Sequence, residues 1–259
     1  MINNWTDGTV TRAMELLSWV PLTQRFRVPA RLRAHGPISP LKTQLITVVS
    51  ESFAAPRAEL RRYVRAPGQP WRAEGVAIPV VLGHGGMGWG DGLHGAGAPA
   101  TLPGPTKREG DGRSPAGAFE LGHVFGYAER KDPELALPYR TATESDRCVD
   151  DPESSHYNQI RSTRETPVDW RSAELMRRAD ALYERVIEIQ HNRAPTVRGH
   201  GSCIFIHAWA GPSIPVTGCT GMDPRELRAL SHWLQPNASL LVALPRDAYR
   251  LLAREWSLP

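Results

Sequence analysis

The chain has 259 residues, 41% of them hydrophobic, enough to bury a full core and near the upper end for one β-rich domain. Its 31 basic and 27 acidic side chains leave a formal charge of +4 with the two signs interspersed, which argues against a clustered nucleic-acid face, and no segment is apolar enough to span a membrane. Glycine and proline, 23 of each, argue against a helix bundle and predict many turns and short strands.

Residues 1 to 40 read as a peripheral arm and 41 to 259 as one domain. Thr6 or Asp7 can cap a short helix over Thr9 to Trp19, with Val10, Met14 and Leu17 on one side, and Pro29 to Pro40 reads as an extended lead-in. Arg12, Glu15, Gln24, Arg25 and Arg27 interrupt residues 1 to 30, so the charged start, apolar core and cleavage site of a secretion signal are not recognisable there. Gln44 to Ser50 is the first expected strand, because Leu45, Ile46, Val48 and Val49 are mostly β-formers. Leu60 to Val64 is expected to pair back against it. Trp71 to Gly83 reads as two short strands broken at Pro79.

The tract from Gly83 to Gly117 is dense in glycine and reads as a long loop, either a plain run of turns or a surface where backbone approaches a ligand. It contains no phosphate-binding GxxxxGK[ST] pattern and no GxGxxG in a strand-turn-helix context. Lys107 to Pro115 has the charge mixture of a surface turn, and Ala118 to Gly122 is an expected core strand. Cys148-Val149-Asp150-Asp151-Pro152 and His156-Tyr157-Asn158 form a middle block; two adjacent acids without a third oxygen ligand are weak grounds for calcium. Tyr157 and Asn158 offer directed donors and acceptors to an amide-rich substrate, or else pin a loop onto the sheet. Asp169 can cap a helix from about Trp170, with Glu174, Arg177 and Arg178 on its polar side and Leu175, Met176 and Ala179 inward. Val186 to His191 alternates as a strand, and Pro195 and Gly199 mark the following turn.

Residues 200 to 222, HGSCIFIHAWAGPSIPVTGCTGM, carry the chemistry. Gly201 to His207 reads as a buried strand delivering His207 at its tip, and after a Pro- and Gly-rich loop Cys219 stands between Gly218 and Thr220-Gly221. The two are twelve positions apart, enough for a strand end, a loop and a return. An imidazole or a cluster of backbone donors beside a thiol is expected to lower its pKa and create the nucleophilic thiolate. The alternative is a small buried hydrophobe and a satisfied core histidine. A zinc site from His200, Cys203, His207 and Cys219 is the other rival. If 203 to 207 is extended, those two Cα atoms lie roughly 13 Å apart, too far for one tetrahedral ion.

Cys148, Cys203 and Cys219 are an odd set without CxxC spacing, so any pairing leaves one thiol, and a 148–203 bridge stays open. Asp223-Pro224-Arg225-Glu226 starts a helix running to about Leu234, whose positive end lies near Cys219, with Asp223 partly offsetting it. Ser239 to Leu244 is expected as a closing strand and Pro245 to Pro259 as a short tail.

The stretch GHGSCIFIHAWAGPSIPVTGCTGM, with GPTKREGDGRSPAGAFELGHVFGYA upstream and CVDDPESSHYNQI between them, resembles the YkuD-type L,D-transpeptidase catalytic domain over about residues 44 to 245. The resemblance implies an α+β, predominantly β domain, a sandwich or barrel with a few short helices, that cross-links peptidoglycan without cofactor or metal. Cys219 would be acylated by a tetrapeptide stem and His207 would shuttle the proton. The group orienting the imidazole is left open by the sequence; a backbone carbonyl is one candidate, because no acid lies in that segment. The oxyanion would sit among N–H groups near Thr217, Gly218, Cys219 and Thr220. Lys107 and Arg113 lie in the block that flanks the groove, and are read either as contacts to substrate carboxylate or glycan or as structural charges. The implied partners are peptidoglycan stem peptides and the implied location the periplasm or cell envelope. An L,D-carboxypeptidase or cross-link hydrolase on the same site, or a non-catalytic wall-binding module, are the alternatives. This chain departs from the family where many members carry Arg, here Gly221, and His or Ser, here Thr217.

Overall fold

The computed structural model describes residues 36–259; the predicted helix over 9 to 19 and most of the Pro-rich lead-in lie outside the described residues. In chain order the strands are β1 (Gln44–Ser50), β2 (Arg57–Val64), β3 (Arg72–Val81), β4 (Met87–Trp89), β5 (Ser114–Gly126), β6 (Tyr139–Thr141), β7 (Asp146–Val149), β8 (Ile160–Ser162), β9 (Ala173–Leu175), β10 (Arg185–Ile189), β11 (Phe205–Ala208) and β12 (Thr220–Met222). Helix α1 (Pro224–Trp233), strand β13 (Ser239–Pro245) and helix α2 (Arg246–Leu252) complete the set.

Eight strands run in the order β10-β11-β12-β3-β2-β1-β13-β5, and the pairing of β5 back onto β10 closes the sheet into a barrel-like ring with β4 and β6 attached to β5. Closure pairs the two ends of the sheet, while β3 keeps an open edge over Arg72 to Pro79, which the short β12 does not reach. β1 and β13 form a parallel pair buried along nearly their whole length, so both read as continuous apolar runs, QLITVVS and SLLVALP. Leu45, Ile46, Val48, Leu60, Phe119 and Leu241 are all but inaccessible and fill the interior. The fold is thus predominantly β, with two helices among the described residues.

β1 and its antiparallel partner β2 form as expected, with Gln44 opposite Val64. The expected break at Pro79 is absent. β3 is continuous there because β12 pairs only with Val80 and Val81, so Pro79 sits on a free edge where its missing N–H costs no ladder bond. The helix expected from Trp170 does not form. Asp169 instead accepts hydrogen bonds from the Ser154 and Ser155 hydroxyls and the Ser155 N–H, and the following residues become β9. The expected tail contains α2, which covers the β1/β13 pair with Ala248 and Leu252.

β8-β7-β9 form a separate small sheet. The bridge left open by the sequence is present: Cys148 on β7 is joined to Cys203, on the approach to β11. It fastens the small sheet beside that approach.

Candidate active site

His207 and Cys219 come together through two adjacent parallel strands. β11 and β12 pair with Ile206 opposite Thr220 and His207 opposite Gly221, which puts Cys219 level with Phe205. Along β11, Ile206 and Ala208 face the main core, whereas Phe205 faces a second cluster that contains Cys219. His207, two residues from Phe205, shares that face, diagonal to Cys219 at about 8 Å between Cα atoms from strand spacing and rise.

The Gly-rich block 110 to 114 sets the height of the cysteine. Gly110 and Gly112 take positive φ, +70° and +66°, and Asp111 at the centre of the turn accepts from the Lys107 ammonium and the Arg108 and Arg113 N–H groups. The turn ends on Ser114, whose hydroxyl donates to the Cys219 carbonyl at 2.6 Å and accepts from the Gly83 N–H at 2.9 Å. At Gly218 an added Cβ would lie 3.2 Å from the Arg113 carbonyl, so glycine lets the cysteine loop settle onto this block.

The thiol is buried. Its sulfur accepts the Phe205 N–H at 3.3 Å and faces the Cys203 carbonyl at 3.5 Å. Burial pushes its pKa well up and the Glu174 carboxylate pushes it further; the Phe205 N–H and the Tyr183 hydroxyl act in the opposite direction with smaller effect. The sequence-based expectation of a lowered thiol pKa is therefore corrected. The resting group is a neutral thiol.

His207 donates from Nδ1 to the Ala208 carbonyl at 2.8 Å. A carbonyl only accepts, so Nδ1 carries the hydrogen and Nε2 keeps its lone pair. Burial lowers the imidazole pKa to about 4, with Arg178 contributing in the same direction, so the ring is neutral at physiological pH. The imidazole and thiol make no hydrogen bond to one another; the Tyr183 ring lies edge-on to His207, centroids 5.0 Å apart, and packs in the Cys219 cluster. A neutral imidazole and a neutral thiol thus share one face of the sheet without a hydrogen bond between them.

Thr217 is exposed, and Gly218, Cys219 and Thr220 are buried. The N–H groups of Thr217, Gly218 and Cys219 donate to no turn or side-chain acceptor among the described residues, which leaves them as candidate oxyanion donors. The four residues singled out as substrate contacts are engaged inside the fold. Asn158 donates to the carbonyls of His191 and Asn192, at 3.1 and 2.8 Å, and accepts the Cys203 N–H. Tyr157 donates to Glu109 and accepts the Gly201 N–H at 3.0 Å. Lys107 is held by Asp111 and the Arg108 carbonyl, and Arg113 by the Gly85 and Met87 carbonyls. Of the two readings each of these residues carried, the bonds seen here are those of pins and braces within the fold.

The set weighed for zinc is dispersed: Cys203 is bridged, His200 Nδ1 pairs with Asp91 at 2.7 Å, and His207 Nδ1 is on Ala208. Elsewhere Asp132, Glu134 and His232 bring ligand-type atoms within 4.8 Å, but Arg185 and Arg228 also point at Asp132, and that positive charge opposes a cation. A cleft of about 670 Å³ opens beside the C-terminal end of β11, lined by Leu182, Ala208, Trp209 and Arg225 among others.

Three residues of the site carry no sequence signal. Ser114 looked like part of a surface turn. Tyr183 precedes β10 in an irregular segment, and Glu174 was read on the solvent side of a helix that does not exist. Only pairing through space brings them to Cys219. The chain matches no protein-family model, no curated protein and no solved structure.

Proposed function

We propose that the chain is a cysteine acyltransferase of the L,D-transpeptidase type, acting on peptidoglycan tetrapeptide stems in the cell envelope. The observation that carries this reading is the base-competent tautomer of His207 on the same sheet face as the unpaired thiol of Cys219, with Thr217, Gly218 and Cys219 N–H groups that donate to no turn or side-chain acceptor among the described residues. The motif resemblance supplies the substrate class.

In the reaction, Nε2 of His207 takes the thiol proton as sulfur attacks the carbonyl of the stem residue that precedes the terminal D-amino acid. The oxyanion is received by N–H groups at Thr217 to Cys219. The C–N bond breaks, the terminal amino acid leaves with the proton from His207, and a thioester remains on Cys219. An acceptor amine then releases the acyl group as a new amide. Because burial favours the neutral thiol at rest, the proton moves as sulfur attacks. The Cys148–Cys203 bridge suits an oxidising compartment.

The test is to incubate the chain with a tetrapeptide stem ending in D-alanine, with and without an acceptor amine, and to weigh the intact protein and the products. The expected result is a mass gain on Cys219, absent in Cys219→Ala, and an amide product when the amine is present. Acid product alone favours a hydrolase. Unlabelled Cys219 with undiminished wall binding in Cys219→Ala would make the protein a binding module.

A further inference from the structure

Glu174 is a carboxylate placed where the first half of the proposed reaction has no use for it. On β9 it lies in register with Cys148, whose bridge to Cys203 brings that strand to the chain facing the sulfur. From the other side the Tyr183 hydroxyl donates to its Oε2 at 2.7 Å, while the Tyr183 ring packs on His207 and Phe205, with centroids at 5.0 and 5.8 Å. Two separate routes through the fold therefore fix Glu174 near Cys219, with the Tyr183 ring standing between it and His207. Its charge opposes ionisation of the thiol, a cost to the acylation step. Once sulfur is acylated there is no thiolate to oppose. The same charge then faces a neutral thioester, and what it favours is a cation.

We propose that Glu174, held by Tyr183, receives the acceptor: it binds the ammonium group of an incoming primary amine and takes the first proton from it before the amine attacks the Cys219 thioester. The proposal rests on the acyl-transfer reading above and names the residue that would favour amine over water. The balance is as follows. The ammonium gives one proton to the Glu174 carboxylate, the freed amine forms the C–N bond, and the C–S bond breaks. The second nitrogen proton passes through His207 to the departing sulfur, the third stays on the new amide, and Glu174 returns its proton to solvent.

The groups facing Glu174 agree with a cationic guest. Glu109 and Asp150 add negative charge, and one Asp150 carboxylate oxygen is buried without a hydrogen-bond partner among the described residues. The opposing Arg178 is committed to Asp180 through both carboxylate oxygens, at 2.9 and 3.1 Å. Burial raises the Glu174 pKa, and the Tyr183 hydroxyl pulls it back. A carboxylate so raised is a better proton acceptor for an ammonium than one in water.

The experiment uses the full chain, a tetrapeptide ending in D-alanine as donor, and two acceptors at pH 7.5: Nα-acetyl-lysine, whose side chain is an ammonium, and hydroxylamine, which is already neutral. For wild type, Glu174→Gln and Tyr183→Phe, the acyl adduct on Cys219 and the ratio of amide to acid product are read by mass spectrometry. Glu174→Gln is expected to acylate at least as fast as wild type, and to lose about tenfold in amide-to-acid ratio with acetyl-lysine while changing less than about threefold with hydroxylamine. Tyr183→Phe, which keeps the ring and drops the hydroxyl, should move in the same direction by less, and it carries the test if Glu174→Gln lacks a melting transition. An unchanged acetyl-lysine ratio overturns the assignment, as does an equal fall with both acceptors. Failure of wild type to form any adduct overturns the acyl-transfer reading itself, and this assignment with it.

Discussion

The Ser114 hydroxyl bridges two parts of the chain that sequence keeps far apart, donating to the Cys219 carbonyl at 2.6 Å while it accepts from the Gly83 N–H at 2.9 Å. It fixes the height at which Cys219 leaves its loop. Ser114→Ala removes both bonds in a buried place, and the expected stability loss is about 1 to 3 kcal/mol. Misplacement of the sulfur should slow acylation by about one to two orders of magnitude, with wild-type partitioning of whatever adduct forms. Wild-type acylation in a folded Ser114→Ala protein would remove the serine from the machinery.

The pH dependence of acylation follows from a buried imidazole. His207 must be neutral to take the thiol proton, and burial holds its pKa at about 4. The rate should therefore hold from about pH 8 to pH 5 and fall only as the ring protonates near 4. Glu174 works in the opposite sense, because its protonation on acidification relieves the thiol. Pre-steady-state acylation from pH 3.5 to 8 measures this. A limb centred near 6.5 would mean a solvated His207, contrary to the geometry. His207→Asn should cost about 10² to 10⁴ in rate.

Stability should fall on acidification over a defined window. His191 and His207 both have folded pKa values of about 4, lowered by burial from 6.5. Between those values the unfolded chain binds protons that the folded chain refuses. The stabilisation is present above 6.5, declines as pH falls, and levels off below about 4. Each site contributes up to about 3 kcal/mol. Urea midpoints at pH 7, 5.5 and 4 report the slope. His191→Gln should flatten it whatever that variant does to stability at pH 7; an unaltered slope would mean that His191 is protonated in the fold.

Tyr157 separates a brace from a binding contact. Its hydroxyl joins Glu109 to the Gly201 N–H. Tyr157→Phe should lower the unfolding free energy by about 1 to 3 kcal/mol and leave KM for the stem peptide within about twofold. A raised KM with unaltered stability would return the residue to the substrate.

Removing the bridge tests the small sheet. Cys148 and Cys203 are 55 residues apart, and closing a loop of that length is worth about 4 kcal/mol in the chain-entropy description. The Cys148→Ser, Cys203→Ser double variant should show a lower denaturant midpoint by a corresponding amount. An unmoved midpoint would mean that the β8-β7-β9 sheet is held by other contacts.

What the sequence made legible was local. Gln44–Ser50 announces itself because nearly every side chain is a buried β-former, and α1 because Asp223 caps it, Pro224 begins it and Glu226 sits in its first turn. His207 and Cys219 each stand at the end of a short, patterned run, and the parallel pairing of β11 with β12 adds that they share one sheet face. The errors came where one residue had two competing partners. Asp169 had the spacing of a helix cap, yet two serines fifteen and fourteen positions earlier captured its carboxylate. For Tyr157 and Asn158, read from the start either as substrate contacts or as loop pins, the bonds formed are those of pins, to residues 191, 192 and 201 to 203. The resting ionisation of the thiol depends on Glu174 and on burial, neither of which has a signature within reach of Cys219 along the chain.

With Cys148 and Cys203 joined, Cys219 is the sole sulfhydryl of the three cysteines, and it is shut in. Its consumption by a small maleimide or iodoacetamide in the folded protein is then a stopwatch for breathing of the walls around it, readable by a change in mass without any substrate. Whatever loosens the walls around Cys219, among them Phe205 and Tyr183, should quicken that clock before melting begins.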